Sequence, residues 1–64
     1  MTYRVSITNE KSPLAVPVVV LYSGFSYSEA FDAAVKARAI SIYRKKWIKF
    51  DDEINGVVKW AQVS

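Results

Sequence analysis

Apolar and polar residues alternate at the start of the chain, Tyr3, Val5 and Ile7 against Arg4, Ser6 and Thr8. A period of two is the pattern of a strand with one buried face. Asn9-Glu10-Lys11-Ser12-Pro13 then supplies the turn formers that end it. From Leu14 to Tyr22 the chain is almost continuously apolar and rich in valine. That run predicts a second strand, buried on both faces or touching something beyond the domain. Pro17 cannot donate to a ladder, which places this strand at a sheet edge beginning near the proline. A central strand beneath a helix is the competing placement.

Ser26-Tyr27-Ser28-Glu29 reads as a capping box, with the Ser26 hydroxyl accepting from the Glu29 amide and the Glu29 carboxylate reaching back. The alanines that follow favour a helix. Tyr27, Phe31, Ala34 and Val35 share one predicted face, and Glu29, Asp32 and Lys36 the opposite one. At about 100° per residue, Arg38 would enter the centre of the apolar face. Either its guanidinium snorkels outward or the helix stops between Ala37 and Ala39. Continuation to about Tyr43 is expected, because Arg44-Lys45-Lys46 would then sit at the negative C-terminal pole.

Asn55-Gly56 is the favoured pair for a type I′ hairpin turn. Such a turn pairs Ile54 with Val57, Asp52 with Lys59, Phe50 with Ala61, and Ile48 with Val63. One face then carries Ile48, Phe50, Ile54, Val57, Ala61 and Val63, with the Asp52 and Lys59 charges set across it. The other carries Trp47, Lys49, Asp51, Glu53, Val58 and Trp60. A register slip of one residue would instead drive Trp60 inward. The expected order is ββαββ. This is an α+β domain over residues 1–64, a four-stranded antiparallel sheet with one helix packed on one face.

Composition then narrows the function. Of 64 residues, 52% are hydrophobic and 14% aromatic, enough to form a core rather than a disordered chain. The sequence contains no cysteine and no histidine. Disulfides, thiolate nucleophiles, imidazole bases and the usual zinc, haem and copper ligands are therefore missing. A serine nucleophile would lack its commonest base, and Gly24 and Gly56, the only glycines, cannot form a phosphate loop. Asp51 and Glu53 would share a strand face, but they are too few for a calcium loop. A solvated approach to the turn, with Asp52 paired to Lys59, is expected instead. No catalysis, cofactor or metal is expected.

No apolar run approaches the roughly 20 residues of a membrane helix. Arg4, Glu10 and Lys11 interrupt any leader-like segment. The chain reads as soluble and cytoplasmic.

The formal charge is +3. Lys36, Arg38, Arg44, Lys45, Lys46 and Lys49 follow one another with no acid between them, and Tyr43, Trp47 and Phe50 interleave. The leading expectation is a non-catalytic adaptor or inhibitor that binds a protein with an acidic surface. Its contact residues would be Tyr43, Lys45, Lys46, Trp47, Lys49 and Trp60, with rings giving contact area and lysines steering the encounter. Small regulators of this kind are often encoded by phages or other mobile elements. The alternative is nucleic-acid binding by Lys36, Arg38, Arg44, Lys45, Lys46 and Lys49, cations tracking phosphates while rings stack on bases. A homodimer through the Val18–Leu21 edge would cover exposed valines and enlarge a small core.

Overall fold

The computed structural model describes residues 2–54 and 56–63, with Val58 described by its backbone alone. The elements are β1 (Tyr3–Thr8), β2 (Val19–Gly24), α1 (Tyr27–Ala37), a 3-10 turn over Ser41–Tyr43, β3 (Trp47–Asp52) and β4 (Gly56–Gln62). The strands form one four-stranded sheet in the order β2-β1-β3-β4, and each neighbouring pair is antiparallel. The expected ββαββ domain architecture is the one observed.

Alternation on β1 sets the two faces. Val5 lies opposite Phe50 and Ile7 opposite Ile48, and these four are buried together with Ala30, Ala37 and Val63. Each large side chain sealed this way contributes about 1.5–3 kcal/mol. Above this floor α1 packs on β1, β2 and β3. Tyr3, Tyr27, Phe31 and Phe50 form an aromatic group at the N-terminal end of α1, and the Tyr3 and Tyr27 rings meet edge to face at 5.4 Å.

The helix meets the sheet along a stripe turned from the expected one. Ala30 and Ala37 are its buried residues, with Ala34 partly buried against the same core. Alanine lets the helix backbone come close to the sheet. Phe31 and Val35 are pushed to the flank, where they stay 45% and 50% exposed. The helix also ends earlier than Tyr43, at Ala37 with Arg38 as its C-cap. Ending there keeps a guanidinium out of the apolar interface, and Ile40 takes an extended conformation before the 3-10 turn.

The edge position of β2 agrees with the proline argument, and the Val18 amide already donates to the Ile7 carbonyl at 2.7 Å. The first part of the apolar run lies outside the sheet, however, with Leu14 and Val16 exposed. Burial of the whole run is thereby corrected.

The hairpin register also differs. Asn55 lies outside the described residues, so the type I′ turn itself is not described. Gly56 has φ +73°, a left-handed backbone that glycine adopts without strain. Asp52 pairs with Gly56 and Asp51 with Val57; after a bulge, Phe50 pairs with Lys59, Lys49 with Trp60 and Ile48 with Ala61. The expected Asp52–Lys59, Phe50–Ala61 and Ile48–Val63 pairs are therefore displaced. Beyond the bulge the displacement is two residues, an even number, so Ala61 keeps its expected face. Val57 changes face, and Ile54 is 69% exposed rather than part of the core.

Candidate functional site

The sheet face turned away from α1 carries the candidate site. Cross-strand pairing brings Arg4 beside Asp51, Ser6 beside Lys49 and Thr8 beside Trp47, while Lys49 lies opposite Trp60. Trp47 and Trp60 are thus diagonal neighbours on adjacent strands. Their rings meet edge to face, with centroids 6.4 Å apart and an interplanar angle of 90°, the arrangement that ring quadrupoles favour. Both are half-buried. Neither indole lies beneath the helix stripe.

Cations border the pair. Lys11 Nζ stands 5.4 Å from the Trp47 ring centroid, and Lys46 Nζ donates to Asn9 Oδ1 at 2.6 Å. The turn after β1 is therefore drawn towards the start of β3. Lys45 holds φ at +69°, uncommon for a side chain with a Cβ. Two bonds tie that conformation to the end of β4: the Lys45 amide donates to the Val63 carbonyl at 3.2 Å, and the Val63 amide to the Lys46 carbonyl at 2.9 Å.

Lys49 differs from the other lysines because it is buried. Its Nζ lies 3.8 Å from Asp51 Oδ2, while Arg4 Nε lies 3.7 Å from Oδ1 of the same carboxylate. One acid thus serves two cations, and Lys49 contributes to the interior of this face rather than to its rim. Beside it Ser6 is fully buried, and its hydroxyl has no hydrogen-bond partner. Leaving a buried hydroxyl unpaired costs about 1–3 kcal/mol.

Of the six expected contact residues, Trp47, Lys49 and Trp60 come together on one sheet face, and Lys45 and Lys46 lie at its end. Tyr43 does not join them, because it packs against the core from the 3-10 turn. Arg38, Arg44, Lys45 and Lys46 all lie in the connection from α1 to β3. Lys36 stands apart on the helix, where Asp32 Oδ2 is 2.9 Å from its Nζ. That hydrogen bond, with the opposite charge second, raises the Lys36 pKa above its ordinary value.

The acidic segment accepts bonds from backbone amides, one local and one from the start of the chain. Asp52 Oδ1 accepts from the Ile54 amide at 2.8 Å and Glu53 Oε1 from the Thr2 amide at 2.9 Å. Among the described residues no group of three or more carboxylates is placed to hold a metal ion. No described helix is long and apolar enough to cross a membrane.

Comparison with protein-family models, curated proteins and solved structures gives no match. The functional reading therefore rests on geometry. Sequence reasoning missed Lys11, whose approach to Trp47 is set by the path of the turn. It also missed Arg4, joined to Asp51 only through strand pairing.

Proposed function

We propose that this chain is a non-catalytic protein-binding module, cytoplasmic, acting as an adaptor or inhibitor through the sheet face opposite α1. The Trp47–Trp60 pair carries the reading. Two indoles fixed edge to face on an open sheet face, with Lys11, Lys45 and Lys46 around them, combine rigid contact area with a positive rim. Aromatic anchors of this kind dominate binding energy, while rim charges govern the encounter rate. The partner therefore presents an acidic surface.

The test starts with tagged wild-type protein and a Trp47→Ala/Trp60→Ala variant that keeps its circular dichroism spectrum. A partner captured by wild type is titrated against both. Loss of at least about tenfold in affinity is expected for the variant. Equal affinity would remove the tryptophans from the contact surface.

Nucleic-acid binding is the second reading, favoured by Arg38, Arg44, Lys45 and Lys46 sharing one connection beside Trp47. If these four meet phosphates of a single strand, affinity drops about 50-fold between 50 and 200 mM salt. Oligonucleotides that fail to bind at the lower salt would eliminate it. The edge position of β2, with Val18 and Val20 half-exposed, supports a homodimer through Val18–Leu21. Sedimentation at rising concentration tests it, and a mass of one chain throughout would refute it.

A further inference from the structure

The helix is set to one side of the sheet, leaving an open groove of about 180 Å³ between α1 and β4. Phe31 and Val35 form its helix wall, and Ile48 and Ala61 lie at the sheet side. Ala61 is the small residue in this row, between Lys59 on the same strand and Val63 just beyond its end. Its size makes the notch.

Two cations border the groove. Arg38 lines it at the helix C-terminus, and Lys59 Nζ reaches across to 5.6 Å from the Phe31 ring centroid. No carboxylate lines it among the described residues. Beside the notch, β4 is an edge strand. The Val63 amide donates inward to Lys46, so strand alternation turns the backbone groups of Gln62 and Trp60 towards the open edge.

We infer that the β4 edge and this groove together receive an acidic extended segment of a partner protein, added as a fifth strand. The inference rests on the protein-binding reading and specifies a contact mode for it. Backbone groups of the segment pair with Trp60 and Gln62. On the helix side, one large apolar side chain fills the notch over Ala61, and carboxylates on either side meet Lys59 and Arg38. Phe31 and Arg38 are separated by roughly 10 Å of helix rise. Same-face positions along a strand repeat every ~6.7 Å, so acids on either side of the apolar residue lie ~13 Å apart. The long Lys59 and Arg38 side chains span the difference, and the recognised pattern is acid-x-apolar-x-acid.

The probe is a capped heptapeptide, Thr-Glu-Thr-Leu-Thr-Glu-Thr, titrated to about 5 mM into nitrogen-15-labelled protein, a range that detects millimolar affinity. Saturable shifts are expected at the Phe31, Val35, Trp60, Ala61 and Gln62 amides. Ala61→Leu fills the notch from within, and Gln62→Pro removes an outward N–H that the fold does not use. Each should weaken binding at least tenfold, as should replacement of both peptide glutamates by lysine. Should Ala61→Leu perturb the fold, Gln62→Pro and Arg38→Glu decide by the same tenfold criterion. Trp47→Ala separates the two readings. Peptide binding that survives it but not Ala61→Leu places the segment in the groove, whatever becomes of the tryptophan surface. Loss in Trp47→Ala alone, equal binding of the lysine peptide, no saturable shift, or β4 shifts that follow protein concentration without peptide would each overturn the inference.

Discussion

The Tyr22 hydroxyl accepts the backbone N–H of Ser26 at 3.2 Å, taking the place at the start of α1 expected of the Glu29 carboxylate. The other half of the capping box is present, with the Glu29 amide donating to Ser26 Oγ at 3.2 Å. The tyrosine reaches the helix because Gly24 leaves room. A Cβ at Gly24 would stand 2.5 Å from the Tyr22 hydroxyl oxygen. The turn between β2 and α1 thus depends on a glycine for close approach and on a phenol for its bond.

Tyr22→Phe should lower stability by about 1 kcal/mol, the worth of one hydrogen bond. Gly24→Ala should cost a similar amount, since the ring must swing away and give up the same bond. In denaturant titrations the double variant should lose clearly less than the sum of the two. Strict additivity would show that the glycine and the hydroxyl act independently.

The tryptophan pair predicts a measurable coupling on the open sheet face. In a cycle of Trp47→Leu, Trp60→Leu and the double variant, an edge-to-face pair contributes about 0.5–1.5 kcal/mol beyond area burial. Near-ultraviolet circular dichroism should change in both single variants, because each ring orients the other. A coupling energy of zero would mean that the rings do not touch in solution.

Ser6 predicts a gain. Its hydroxyl is buried without a partner, so Ser6→Ala should leave stability unchanged or raise it by about 1 kcal/mol. Thermal melts of the two proteins suffice. A loss of that size would assign the hydroxyl a bond and a structural role on this face.

Lys45 stores backbone strain at φ +69°. Lys45→Gly should hold or raise stability by up to about 1 kcal/mol, whereas Lys45→Val should lower it by about 1–2 kcal/mol. Equilibrium unfolding distinguishes them. If both replacements behaved alike, the left-handed conformation would not be fixed in the folded chain.

The order of elements was legible because each carries its own local signal. Alternation marks β1, Pro17 marks the edge, Ser26 marks the start of α1, and Gly56 follows the β3–β4 turn. Where local rules competed, the sequence pointed the wrong way. The basic run after Ile42 argued for a longer helix, but keeping Arg38 out of the core ended it at Ala37. The I′ signature argued for a tighter register, but the observed pairs close at Asp52 and Gly56 with a bulge beyond.

The candidate site divides along the same line. That Trp47, Lys49 and Trp60 occupy one face follows from strand periodicity, and it survives a register change of two because side chains alternate with that period. Lys49 turns inward while Lys11 reaches Trp47 because pairing and loop path put residues distant in the chain beside each other. Tyr43 is drawn to the core for the same reason. The groove beside β4 was decided by the tertiary structure alone. Periodicity names an apolar stripe on a helix, but the sizes of the facing side chains choose which part of it touches the sheet. Here the alanines approach closely, and Phe31 and Val35 are left at the open flank.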